Sequence, residues 1–226
     1  MPTLHCQISQ SLWDALEDRH RTTGESTSYT VMRALADTLQ IEHPTLFQVS
    51  TSGALVEGVY HGAVRIRDLL AHGNFGLGTF ENLDGEMMML DGRCYRARGD
   101  GSITEPDDDE RVPYAVVTHF QAERTIDLPP ASSLAELLTL LEEQRNTQNL
   151  FFSVYAEGEF DYVTARAVCK AEGRETPVET ASKQAVFEFH RVRGVVIGFW
   201  TPEYAASVGI AGYHLHFLTD DRQGVG

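Results

Sequence analysis

The chain has 226 residues, 42% of them hydrophobic and 23% charged, with a formal net charge of −15. That length can bury a sizeable core, as one large domain or two small ones, and the composition is that of a globular protein. The acidic balance, 33 Asp and Glu against 18 Lys and Arg, argues against a nucleic-acid partner, because no basic stripe exists to displace phosphate counterions.

No apolar run approaches the roughly 20 residues that span a bilayer, so no membrane partner is expected. Residues 1–20 carry Asp14, Glu17 and Asp18 and no continuous apolar segment, unlike a secretory signal. Cys6, Cys94 and Cys169 are scattered without CxxC spacing. They suggest neither a disulfide framework nor a cysteine zinc site, and a cytoplasmic setting is the simplest expectation.

In chain order, residues 7–21 read as a short helix. Ser26, Thr27 and Ser28 offer caps for a second through residues 29–39, where apolar side chains recur at spacings of three and four and Pro44 marks the exit. Residues 45–50 read as a strand, 53–56 as a helical turn and 64–71 as a short amphipathic helix. The glycine-rich stretch Asn74-Phe75-Gly76-Leu77-Gly78-Thr79-Phe80 is extended, and Leu83-Asp84-Gly85-Glu86 signals a turn. Residues 87–90 and 93–98 flank Asp91-Gly92 as a tight hairpin. Residues 105–110 are an acidic loop, 114–121 a strand, and Ser132 or Ser133 caps a helix over 134–144. Strands then follow at 150–156, 160–168, 186–191, 195–200 and 213–219, with turns at Gly158 and Arg193-Gly194.

The pattern predicts an α+β fold (α/β two-domain) in which a mixed β-sheet N-terminal domain packs with a β-rich C-terminal domain. The expected divisions are an extension at 1–27, a first domain at 28–147 and a metal-binding domain at 148–226.

Strand periodicity puts His214 and His216 on one face, with Tyr213, Leu215 and Phe217 on the other. Two imidazoles on one rigid face make half a metal site, since catalytic zinc usually takes three protein ligands. Candidates for the third are His190, His119, Asp220, Asp221 or a residue outside the chain, although Asp220 and Asp221 also read as turn acids. The glycines at 73, 76 and 78 suggest close backbone approach, and they do not match a nucleotide-binding fingerprint. Glu86 reads either as a turn acid or as a proton donor in a cleft. Arg166, in a strand pattern, reads as a structural ion pair or as a fork for a substrate carboxylate.

Together Thr45-Leu46-Phe47-Gln48-Val49-Ser50-Thr51, Gly58-Val59-Tyr60, the run from His72 to Phe80, Leu83-Asp84-Gly85-Glu86, Gly212-Tyr213-His214-Leu215-His216-Phe217 and Asp220-Asp221-Arg222 closely resemble the α-acetolactate decarboxylase family. The resemblance runs from about residue 28 to the last. It implies a zinc-dependent homodimer that converts (S)-2-acetolactate to (R)-acetoin and CO2 in acetoin and 2,3-butanediol biosynthesis.

By the same resemblance His214 and His216 bind Zn2+, residues 222–226 match the family's glycine-rich run, and a third histidine ligand is expected just after Gly226. A further family glutamate near the C-terminus has no counterpart in the sequence. Glu86 and Arg166 match the active-site glutamate and arginine, although Cys169-Lys170-Ala171 departs from the family pattern beside Arg166.

Decarboxylation of a β-keto acid leaves an electron pair that the ketone must accept as an enediolate, and zinc on the ketone and hydroxyl oxygens would stabilise that charge. Arg166 would orient the carboxylate, Glu86 would manage the proton, and Thr79 would support the substrate site by hydrogen bonding. Two alternatives accompany this reading. One is an inactive, truncated metal-binding remnant. The other is a cupin-like metalloenzyme, suggested by His214-x-His216 followed by Asp220.

Overall fold

The computed structural model describes residues 5–23, 27–39, 45–145, 147–171, 184–224 and 226. It divides into two compact units, Met1–Pro44 and Thr45–Gly226. The sequence boundary at 27/28 falls inside the first unit and that at 147/148 inside the second.

The first unit holds helices α1 (Gln10–Thr23) and α2 (Thr27–Leu39), within two or three residues of the expected bounds. Leu12, Trp13, Met32, Leu35 and Leu39 remain exposed on them. Ser26 and Pro44, read as cap and exit of the second helix, lie outside the described residues.

The second unit opens with β1 (Leu46–Val49) and the short α3 (Ser52–Val56). The helix expected over 64–71 is shorter. Val64 and Arg65 form β2 and pair with β7 (Arg111–Val112), and only Ile66–Leu70 coils as α4. Further strands are β3 (Phe75–Thr79), β4 (Glu86–Leu90), β5 (Arg93–Ala97), β6 (Ile103–Thr104) and β8 (Tyr114–Thr118). These assemble a six-stranded sheet in the order β1-β8-β3-β4-β5-β6. Every pairing in it is antiparallel, where a mixed sheet was expected. Asp91 and Gly92, with φ of 53° and 72°, make the tight turn between β4 and β5. That is the primed geometry whose twist matches the flanking strands.

Helix α5 (Leu134–Gln144) has its predicted bounds. The Ser133 hydroxyl accepts from the Glu136 amide, while the Ser132 amide and hydroxyl both donate to the Glu136 carboxylate. At its far end Arg145 stacks over the Trp200 ring at 3.5 Å.

The second sheet is a three-stranded meander, β11-β10-β9. Two of its members are longer than the sequence suggested. Strand β9 runs without a break over Phe152–Val168, and β10 over Gln184–Thr201. Gly158 and Gly194, read as turns, are instead register partners in mid-hairpin. Gly194 serves close packing: a Cβ there would come within 2.6 Å of the Leu218 carbonyl. The chain bends at Arg191, whose φ is 48°. Beyond it Phe189, together with Phe160, packs on the Phe217 ring of β11 (Gly212–Thr219).

The core has two layers. On one face of the larger sheet Phe75, Leu77, Met88, Leu90, Tyr95, Ala97, Tyr114 and Val116 meet Val195, Ile197, Phe199 and Leu218 of the smaller sheet. On the other face Met87, Met89, Ala115 and Val117 pack with Ile66 and Leu69 of α4. The α+β class is borne out, and a jelly roll, required by the cupin-like alternative, is not what these sheets form.

Candidate active site

Side chains directly opposite each other on paired strands share a face. Ile197 is opposite His216, Phe199 opposite His214, and Val195 opposite Leu218. Because Val195, Ile197, Phe199 and Leu218 belong to the layer between the sheets, His214 and His216 point into that layer, as the period-2 reading requires. On the larger sheet Glu86 lies opposite both Thr79 and Ala97. It therefore closes the row that holds Met88 and Leu77 and presents to the same layer.

The Nε2 atoms of His214 and His216 are 3.2 Å apart. Two nitrogens bound tetrahedrally to zinc at about 2.0–2.1 Å stand about 3.3 Å apart. Burial lowers the pKa of His214 to about 4, and burial followed by the neighbouring His214 lowers that of His216 to about 3. Both rings are thus neutral at pH 7, so each keeps one unprotonated ring nitrogen, the form a metal requires. His216 Nδ1 is buried and has no hydrogen-bond partner, a further mark of a polar pair placed in an apolar wall for something other than packing. The donors fit zinc as far as they go. Among the described residues no group of three His, Cys, Asp or Glu is disposed to hold a metal.

Glu86 is partly accessible as a residue, yet burial of its carboxyl raises its pKa from 4.5 to about 7, offset in part by the Val168 amide. That amide donates to Glu86 Oε1 at 3.2 Å. The Thr79 hydroxyl is buried and donates to the Gly85 carbonyl at 2.8 Å, fixing the turn from which Glu86 emerges.

Arg166 is exposed on β9 between the buried Ala165 and Ala167, opposite Val186. Its guanidinium makes no hydrogen bond or ion pair with the described residues, so the structural ion pair considered for it does not form there. Its backbone lies against Gly226, where a Cβ would come within 3.0 Å of the Arg166 nitrogen.

Gly226 joins the halves of the site. Its amide and carbonyl both bond Phe217, and Gly224 O accepts from Thr219 N, so Gly224 and Gly226 lie back along β11. The return loop is held by Thr219. Its hydroxyl donates to Asp221 and accepts from the amides of Gln223 and Gly224. Asp221 is occupied in this loop, and the same hydrogen bonds lower its pKa. Of the other third-ligand candidates, His190 packs against Tyr162. A run of contacts therefore links His216 through Phe217 and Gly226 to Arg166, and through Val168 to Glu86. A cleft of about 60 Å³, lined by residues such as Phe187, Phe189 and Gln223, contains none of Glu86, Arg166, His214 or His216. It is not the site.

The sequence reading missed the cations around Asp84. Arg96 and Arg98 both reach its carboxylate. The Asp91-Gly92 turn already fixed their register opposite residues 85–87, so the signal was present.

The family model described as alpha-acetolactate decarboxylase matches residues 46–226. An alpha-acetolactate decarboxylase of Methanosarcina mazei is 43% identical over 80% of this chain and 63% of its own length. That of Lactococcus lactis subsp. lactis is 42% identical over 78% of this chain and 75% of its own. The chain thus spans about two thirds to three quarters of the length of these relatives. The crystal structure of alpha-acetolactate decarboxylase from Bacillus subtilis strain 168 superposes with a TM-score of 0.77 at 35% identity, covering 80% of this chain and 78% of that one. With its fold, its inward-facing histidine pair and these relatives in agreement, the chain belongs to the alpha-acetolactate decarboxylase family.

Proposed function

We propose that the chain decarboxylates 2-acetolactate to acetoin and CO2, with His214 and His216 holding a zinc ion. The observation that carries this reading is the shared layer between the sheets, into which one sheet sends two neutral imidazoles 3.2 Å apart and the other sends Glu86. A bound zinc would supply Lewis acidity toward the ketone and hydroxyl oxygens of the substrate. With a pKa of about 7, Glu86 holds a proton in a substantial fraction of molecules at neutral pH. It can deliver that proton to the enediolate carbon from one face, which sets a single product configuration. Thr79 fixes Glu86 by anchoring Gly85 rather than by spending its hydroxyl on substrate. Arg166 is free to turn its guanidinium to the substrate carboxylate, orienting it without clamping it in the ground state.

A third zinc ligand has a natural place. In the register set by Gly226 opposite Phe217, a position following Gly226 would lie opposite His216 and share its face.

The test is acetoin formation from racemic 2-acetolactate by the zinc-supplied chain, with metal content measured in parallel. The reading requires acetoin production and about one zinc per chain, with both lost in His216→Ala. Absence of zinc binding in the parent chain would overturn the metal assignment. Zinc binding without acetoin would favour the inactive remnant. We place the protein in the cytoplasm, on the support of three cysteines that are all free. No described helix is long and apolar enough to cross a membrane. A homodimer is also expected, supported by exposed Tyr155, Tyr162 and Val186 on the long hairpin. Sedimentation at a single-chain mass would refute it.

A further inference from the structure

The turn that delivers Glu86 does not hold itself. Asn82 and Leu83 are both left-handed, with φ of 59° and 55°, and Gly85 follows at 103°. Two consecutive non-glycine residues in that region persist only where their surroundings over-determine them. The surroundings converge on Asp84, whose side chain is 20% exposed. Arg96 Nη1 lies 3.3 Å from Asp84 Oδ2. Arg98 reaches both carboxylate oxygens at 3.3–3.4 Å. Lys170, from the chain just beyond β9, stands 4.0 Å away.

Arg96 itself has little freedom. It is 3% exposed, also pairs with Glu110, and lies over the Phe80 ring at 4.1 Å. The residues following Arg166 are stitched to the same turn by two backbone donors: Val168 N to Glu86 Oε1 at 3.2 Å and Ala171 N to Asn82 O at 2.8 Å. Arg96 is opposite Met87, so its side chain leaves the sheet on the face away from Glu86. Asp84 and its cations therefore stand behind the site.

We propose that Asp84 is a positioning residue, gathering Arg96, Arg98 and Lys170 to lock the turn that carries Glu86 against the end of the strand that carries Arg166. The inference rests on the reading of Glu86 as the proton-handling group. It assigns Asp84 no contact with substrate. Its neutral isostere removes the negative charge that the cations share and replaces one acceptor oxygen by an NH2 that faces them, which lets the turn and the end of β9 separate.

The experiment is Asp84→Asn, alone and on a Glu86→Gln background, with kcat and KM for acetoin formation and amide exchange at Val168 and Ala171. Alone, the substitution lowers kcat about tenfold or more with KM within about twofold, because a misplaced proton donor slows the chemical step and leaves binding intact. On the Glu86→Gln background it costs nothing further, since residues acting as one unit are not additive. Exchange at Val168 and Ala171 quickens about tenfold or more while Met88 and Val117 stay protected. That measurement reads the lock without turnover.

A loss that multiplies with that of Glu86→Gln, or unchanged exchange, overturns the inference and makes Asp84 structural only. A Glu86→Gln variant as active as the parent refutes the role of Glu86 itself, and the inference falls with it. Should Asp84→Asn not fold, Lys170→Ala decides. Lys170 is 62% exposed, and its removal gives a smaller kcat loss of about two- to fivefold that vanishes on the Glu86→Gln background. No such loss refutes the lock.

Discussion

Glu86 shows how much one residue's setting changes its chemistry. The same carboxylate in an open turn would ionise near 4.5, whereas at the edge of a row with Leu77, Met88 and Ala97 it ionises near 7. Its folded pKa lies above its unfolded one, so between about 4.5 and 7 the folded state binds more protons. Its contribution to stability therefore falls as pH rises through that window. A glutamine at this position has no such slope. Melting temperatures of the parent and Glu86→Gln, taken from pH 4.5 to 8, should diverge in favour of the variant as pH rises. Parallel curves would mean that Glu86 ionises normally. The sequence offered Glu86 as either a turn acid or a buried acid. It is attached to the turn and buried at once, a combination that depends on what β9 lays over it.

At the scale of elements, the hairpin turn Asp91-Gly92 and the cap Ser133 were legible because each acts within a few residues. The long hairpin was not. Gly158 and Gly194 carry the local signature of turns, but they meet in mid-ladder, where Gly194 admits the backbone of β11. Gly198 does the same beside the histidines. A Cβ on it would fall 2.0 Å from the His214 carbonyl, which is backbone and cannot rotate aside. Gly198→Ala should push β11 from β10 and cost about 2–3 kcal/mol, the range of an overpacked site. Zinc affinity should fall with it. Chemical denaturation and zinc titration would check both, and an alanine tolerated without loss would show that the strands are not so tightly held.

Across the whole molecule, the layer between the sheets is both core and active-site wall. Ile197 is fully buried opposite His216 and belongs to the cluster that joins the sheets. Truncation to alanine should cost about 2–5 kcal/mol in urea unfolding, the transfer and cavity terms together. It should also slacken His216, weakening zinc binding more than the equally buried Val117→Ala, which lies in the layer against α4. Equal effects of the two on zinc binding would separate the core from the site.

The sequence by itself determined the α+β class, the helices, the shared face of His214 and His216 and the acid at 86, because periodicity, caps and two-residue turns are local interactions. Only the tertiary structure decided that Glu86 and the histidines face one layer, that Arg166 is exposed, and that Lys170 and the end of β9 come to Asp84 and the turn before Glu86. Each of these depends on contacts between segments tens of residues apart, whose registers and bends no local pattern encodes.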